Sequence, residues 1–281
     1  MEIRYPISPE DVQTESGETL RKKLVITDLF KENQFTYVLS HHDRVLIGGI
    51  SLDNLANNKI VRFHNPEELR GTSLLERREM GLVCLSGSAD VSIDGTSYPM
   101  STEDIIYISR GSLEITLKGK GDFYFTSSIC HTTFPTTLIK KNDSNATGLG
   151  NKKNSNERTL RKYIHDQGVS SASMAMGITT IHEGSAWNTM PCHTHERRTE
   201  VYLYFDLDEN EKVVHLFGRP DQTRNFVLGN KEAVISPAWS IHTGAGTSNY
   251  KFVWSTSGEN ISYSDLDLVE TRSEEHTSEL Q

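Results

Sequence analysis

The stretch Pro191-Cys192-His193-Thr194-His195-Glu196-Arg197-Arg198-Thr199-Glu200 concentrates groups that bind metals and move protons. His193 and His195 are two apart, so on a strand both imidazoles leave the same face. A straight strand would point Glu200 away. A turn over Glu196–Thr199 returns the chain, so that Glu200 enters from the next strand, sharing a face with Tyr202 and Tyr204. A third histidine follows in Ile235-Ser-Pro-Ala-Trp-Ser-Ile-His242, where a strand ends at Pro237, bends and presents His242. Three imidazoles and one carboxylate suit Zn²⁺, Fe²⁺, Mn²⁺ or Ni²⁺. With an open coordination position, such an ion acts as a Lewis acid on a carbonyl or hydroxyl. Glu196, His182 and His215 are alternative ligands. Cys192 is nearer than any of them and reads better as a buried hydrophobe. The competing reading is a set of surface histidines at a strand end.

The elements that must hold these groups are strands. Phe35–Leu39, Arg44–Ile47, Gly81–Leu85, Ala89–Ile93 and Asp104–Ile108 are short runs rich in β-branched or aromatic residues. Turn signals punctuate them: Gly48-Gly49, Ser86-Gly87-Ser88, Asp94-Gly95 and Arg110-Gly111. After residue 158 the pattern resumes in Met174–Ile181, Glu200–Phe205, Val213–Phe217, Asn225–Leu228, Ala233–Ser236 and Lys251–Trp254. Helical patterns are confined to Ser8–Leu20 and Glu67–Arg78. Evenly spaced strands of this kind predict a sandwich or barrel. The echo of Glu76-Arg-Arg-Glu79 in Glu196-Arg-Arg-Thr-Glu200 suggests a degenerate repeat. The expected division is residues 1–140, a polar linker or long loop at 141–158 rich in Lys, Asn, Ser and Gly, and residues 159–271. The string 272–281, Arg-Ser-Glu-Glu-His-Thr-Ser-Glu-Leu-Gln, matches a translated sequencing-library adapter and is set aside, His276 with it.

Composition excludes several classes. The 281 residues carry a formal net charge of −9, the wrong sign for a general nucleic-acid binder. No apolar run is long enough to span a membrane, and the N-terminus lacks the apolar core of a signal peptide. Cys84, Cys130 and Cys192 are too scattered for a disulfide framework, so reduced thiols in a cytoplasmic protein are expected.

His193-x-His195-x4-Glu200 with His242 downstream resembles the paired metal motifs of the cupin superfamily. Two positions depart from that pattern: Leu207 stands where a Gly is usual, and Pro237-Ala238-Trp239 replaces Pro-x-Gly. Asn188-Thr-Met-Pro-Cys-His-Thr-His-Glu-Arg-Arg, Val234-Ile-Ser-Pro-Ala-Trp-Ser-Ile-His, His131-Thr-Thr-Phe-Pro-Thr and Ser40-His-His-Asp-Arg-Val-Leu-Ile-Gly-Gly closely resemble the 5-keto-4-deoxyuronate isomerases. The resemblance implies an all-β bicupin: two β-sandwich or jelly-roll barrels with few short helices. It implies a cytoplasmic homohexamer with one Zn²⁺ per subunit on His193, His195, Glu200 and His242. The N-terminal domain has Glu76 and Glu79 but no His-x-His, so it is expected to be metal-free. The implied activity is that of an intramolecular oxidoreductase. It converts 5-dehydro-4-deoxy-D-glucuronate to 3-deoxy-D-glycero-2,5-hexodiulosonate in pectin and uronate breakdown.

That reaction moves a carbonyl from C1 to C2 and needs either a general base or a hydride shift. The sequence does not name the base; Glu196, His182, Tyr202 and Glu76 are candidates. The substrate carboxylate calls for an arginine fork, for which Arg197 and Arg198 are placed beside the metal motif. Arg44, Arg161 and Lys162 are weaker choices, and structural pairing is the competing role. His41, His42 and His131 read as core or interface residues before pocket residues. Rival functions are a 5-deoxyglucuronate isomerase of inositol breakdown, a cupin Fe²⁺ dioxygenase, and a sugar-binding module without turnover.

Overall fold

The computed structural model describes residues 1–53, 59–259 and 262–270; the adapter-like string and residue 271 lie outside them. Among the described residues strands dominate, with two α-helices, Pro9–Thr14 and Gly17–Leu24. Ser8 caps the first helix: its side chain accepts from the Asp11 amide at 3.3 Å, and its own amide donates to the Asp11 carboxylate at 2.7 Å. Ser16 caps the second by accepting from the Thr19 amide at 3.2 Å. Val12, Leu20 and Leu24 are buried and anchor the pair. The expected helix at Glu67–Arg78 shrinks to the 3-10 turn Glu67–Leu69.

The chain divides into two units. The N-terminal unit comprises Met1–Arg4, Asp28–Asn145 and Lys162–Met176. The C-terminal unit comprises Tyr5–Thr27, Ala146–Arg161 and the chain from Gly177 onward. In the stretch 141–158, Asn145–Leu149 forms a strand flanked by the 3-10 turns Lys141–Asp143 and Lys152–Asn154.

In the N-terminal unit, the long strands Arg78–Ile93 and Ile115–Ile129 pair antiparallel, with a register shift at Asp122/Phe123. Leu46–Asp53 pairs along the other side of Ile115–Ile129. Inward aromatics form the core: Phe35 stacks on Phe63 at 3.8 Å between centroids, and Phe63 meets Phe125 edge-on at 5.2 Å. Truncating Phe125 to alanine in such a setting costs about 3–5 kcal/mol.

Gly48-Gly49, expected as a turn, lies inside the Leu46–Asp53 strand. A Cβ at Gly48 would stand 2.3 Å from Phe125 Cζ, so the glycine makes room for the ring rather than bending the chain. Ser86-Gly87-Ser88 likewise lies within Arg78–Ile93, opposite Lys120–Asp122 near the register shift. Asp94-Gly95 is the expected tight turn, with φ of 48° and 83° between the paired Ile93 and Thr96.

Two larger sheets hold most of the strands of the C-terminal unit. One runs in the order Asn145–Leu149, Arg158–Ile164, Met174–Ile181, Lys251–Gly258, Arg198–Phe205, Ala233–Ser236, Val25–Ile26. The other runs Trp187–Asn188, Ile241–Gly246, Val213–Arg219, Gln222–Leu228. Period-2 alternation aims Glu200, Tyr202 and Tyr204 from the first sheet at His242, His215 and Phe217 from the second. The contact across the gap is direct: the Tyr204 hydroxyl lies 2.8 Å from His215 Nδ1, and the Tyr202 ring is 5.5 Å from His242. The polar end of this sandwich core is where the metal motif arrives.

Candidate metal centre

His193-Thr194 is a short strand paired with Asp267-Leu268. The chain then turns at residues 196–197 and re-enters as Arg198–Phe205, which carries Glu200 inward. His242 comes from Ile241–Gly246, after the break at Pro237. All four side chains are buried, His242 completely. Their ligand atoms lie within 4.8 Å of one another. His195 Nε2 is 2.8 Å and His242 Nε2 is 3.2 Å from Glu200 Oε2, and His193 Nε2 is 3.0 Å from His242 Nε2.

Backbone carbonyls set the tautomers. A carbonyl only accepts, so His195 Nδ1–H donates to Arg198 O at 2.9 Å, and His242 Nδ1–H donates to Ser240 O at 3.3 Å. In the neutral rings the two Nε2 atoms then bear lone pairs that point at a carboxylate and at His193. Lone pairs and a negative oxygen at these distances repel unless a positive charge sits among them, so the donor set fits a divalent cation. Such a group could hold a metal ion. Burial, then the neighbouring His242, pushes the His193 pKa down to about 3, so that ring is neutral and ready to coordinate. Burial alone would raise Glu200, but His242 and His195 outweigh it and hold the carboxyl well below its ordinary range. Burial, then Glu200, pushes the Tyr202 hydroxyl well above the ordinary phenol range.

The remaining sequence candidates fall in different places. Tyr202 shares the ligand face. Glu196 is exposed on the turn. His182 Nε2 bonds the Thr159 hydroxyl at 2.8 Å. Glu76 is half-buried in the N-terminal unit and accepts from the Thr72 amide at 2.6 Å. His215, an alternative ligand, bonds Tyr204 instead, and its Nε2 is buried without a partner. Arg197 pairs with Asp265 and Asp267. Arg198 is 2% exposed and donates to the carbonyls of Ser262 and Asp265. Both arginines therefore tie down the segment 262–267. Cys192 is fully buried, as expected of a hydrophobe. His41 and His42 are half-buried and His131 is exposed, all in the N-terminal unit.

Two features escaped sequence reading. Tyr263 packs on Trp254, with ring centroids 5.3 Å apart, and its pKa is pushed up to about 12 by burial first and then by Glu200. Arg158, on a strand far away in sequence, interacts with Tyr202, Tyr250 and Tyr263. Neither carries a local motif, and only the fold brings them to this group of tyrosines.

The family model for KduI/IolB matches residues 26–271. The 4-deoxy-L-threo-5-hexosulose-uronate ketol-isomerase of Lachnoclostridium phytofermentans is 41% identical over 97% of this chain and 99% of its own. The chain belongs to the KduI/IolB family. Family members of the same name from Bacillus subtilis (41% identical) and Pectobacterium carotovorum (39%) each cover 96% of this chain and align over 98% of their own length. Among solved structures, an IolB-like protein from Salmonella typhimurium LT2 has a TM-score of 0.70 at 13% identity, covering 88% of this chain and 96% of that one. A mutant of Bacillus subtilis oxalate decarboxylase has a TM-score of 0.53 at 12% identity, covering 83% and 75%. These two likenesses concern the fold: a cupin-type β architecture, all-β as the strand pattern predicts and of the type the family resemblance implies.

Proposed function

We infer that this family member is a metal-dependent aldose–ketose isomerase that converts 5-dehydro-4-deoxy-D-glucuronate to 3-deoxy-D-glycero-2,5-hexodiulosonate. His193, His195, Glu200 and His242 hold one Zn²⁺. The observation that carries the reading is the buried convergence of three imidazoles on Glu200. It occurs in a chain about two-fifths identical, over nearly full length, to named ketol-isomerases. The wider setting proposed is uronate or pectin breakdown in the cytoplasm by a homohexamer whose N-terminal domain is metal-free.

When bound, the ion supplies positive charge where the migrating carbonyl oxygen becomes negative. The chain's residues do the rest. Arg198 O and Ser240 O hold His195 and His242 in the tautomers that leave Nε2 free. Glu200 brings the negative charge that balances part of the ion's. Tyr202, on the same face and against His242, offers a neutral hydroxyl that can donate to a substrate oxygen. Of the four acid–base candidates it is the one packed on a ligand residue. Glu196 is exposed, Glu76 is engaged with Thr72, and His182 is engaged with Thr159.

An anaerobic NMR time course with the uronate substrate tests the reading, run with and without chelator. Growth of the 2,5-diketo product, blocked by chelator, is expected. Folded, metal-loaded protein that leaves this substrate unchanged but isomerises 5-deoxyglucuronate would move the assignment to the inositol-pathway reaction. A requirement for oxygen would move it to the dioxygenases.

A further inference from the structure

The isomerase reading leaves a carboxylate to be bound at the far end of the substrate. Arg197 and Arg198 are committed elsewhere: one to Asp265 and Asp267, the other to two backbone carbonyls. Another guanidinium is available. Arg158 opens the Arg158–Ile164 strand and is half-buried. It donates to Asn156 O at 2.9 Å, and among the described residues it pairs with no carboxylate. A half-buried arginine without an anion is unusual, because desolvation of the charge is left without compensation.

Its strand belongs to the sheet that carries Glu200. In the sheet order, Met174–Ile181 and Lys251–Gly258 separate the Arg158 strand from the Glu200 strand. Gly177 sits in the middle of this surface. A Cβ there would lie 2.3 Å from Trp254 Cζ2, so the bare glycine lets the indole lie flat across the sheet. Trp254 is the register partner of Tyr202, packs on Tyr263, and buries its indole N–H without a partner. Tyr250 joins the same wall, its ring 5.6 Å from Tyr204. The charge of Arg158 acts on Tyr202, Tyr250 and Tyr263, and Tyr263 also feels Glu200. The wall thus holds the metal ligands in one region and a guanidinium in another, with an orphaned donor among the aromatics.

We propose that Arg158 is the anion subsite of this enzyme: it binds the substrate's C6 carboxylate, and the Trp254 indole N–H is the neutral donor along the same wall. The proposal rests on the isomerase reading for the identity of the anion. A planar fork suits a carboxylate better than a lysine would, and the guanidinium is charged at any working pH. The site then discriminates by charge: uronates are held, and the matching neutral sugars are not.

The test uses the full-length, metal-loaded protein and its Arg158→Gln and Arg158→Lys variants. Two compounds are compared, the uronate and its analogue with C6 reduced to an alcohol. Loss of one charge-assisted contact is expected to raise KM for the uronate by about 10- to 100-fold in Arg158→Gln. The neutral analogue is expected to react with the same KM in both proteins, and metal content is expected not to change. Arg158→Lys should fall between. An unchanged KM for the uronate, or an equal loss on both compounds, would overturn the proposal. Should Arg158→Gln fail to fold, the preference of Arg158→Lys for the charged over the neutral compound decides: a reduced ratio supports the subsite and an unchanged one removes it. Should the wild type turn over neither compound, the isomerase reading fails on its own. Calorimetric titration of wild type and variants with the uronate then tests Arg158 directly. Equal affinity in wild type and variants, or no binding by the wild type, overturns the subsite.

Discussion

His195 Nε2 and Glu200 Oε2 stand 2.8 Å apart, with His195 just after the His193–Thr194 strand and Glu200 within the Arg198–Phe205 strand. The turn at residues 196–197 brings the chain back, and the carbonyl of Arg198, at the start of the next strand, orients the His195 ring. One short segment therefore supplies two proposed ligands and the group that aims one of them.

Removal of either member should empty the centre. Glu200→Gln keeps the size and loses the charge, and His195→Ala loses a donor. Each is expected to weaken metal binding by more than about 100-fold, beyond what outer-shell changes do. Metal content by mass spectrometry and calorimetric titration measure it. A Glu200→Gln protein with full metal occupancy would remove Glu200 from the ligand set. Chelation of the wild type should lower Tm, and Zn²⁺ should restore it, because the ion binds only the folded chain.

Arg198→Ala should behave differently. It deprives the Ser262 and Asp265 carbonyls of their buried donor, at a cost of about 1–3 kcal/mol in urea denaturation. The bond to His195 comes from the backbone carbonyl, which the substitution leaves in place. Metal content should therefore persist. Loss of metal at unchanged stability would contradict this division of labour.

Glu79 offers a parallel in the N-terminal unit. Its buried carboxylate accepts from Tyr107 Oη at 2.8 Å, Ala172 N at 2.8 Å, Ser173 N at 2.7 Å and Ser173 Oγ at 3.3 Å. Every donor is a protein group, which suits a structural strut. Glu79→Gln turns an amide N–H toward one of these donors and should cost about 1–3 kcal/mol. Metal stoichiometry should stay at one per chain; a fall would show that this carboxylate serves a metal.

His215 predicts a pH dependence of stability. Burial, then His242, pushes its pKa down to about 3. Above the unfolded value of about 6.5, both states keep the ring neutral and the group adds no slope. As pH falls below that value, the unfolded chain takes up a proton that the buried ring refuses, so stability is lost. The slope approaches about 1.4 kcal/mol per pH unit down to the folded pKa. Urea titrations of the metal-free protein from pH 7 to 5 should show this slope reduced in His215→Phe. Equal slopes in the two proteins would remove His215 as its source.

Sequence alone determined the features that depend on neighbours along the chain. The spacing of His193 and His195 predicts that they act together, and their ring centroids lie 5.6 Å apart; Asp94-Gly95 turns because both residues tolerate positive φ. The all-β class follows from the same alternation, and the long motif around the ligands carries the family. What the tertiary structure decided depends on partners far away in sequence. Gly48-Gly49 reads locally as a turn, yet it lies within a strand because Phe125 occupies the space a Cβ would take. Arg197 and Arg198 read equally as substrate binders or as structural pairs, and their ties to the segment 262–267 depend on a pairing of residues 267–268 with 193–194 that no local pattern records. Arg158 and Tyr263 carry no motif and reach the tyrosine wall only when the strands are laid side by side. A side chain's type and spacing set what it can do; which charge it meets is set by strand order, because pairing between strands is a long-range choice that the backbone makes only once the core has formed.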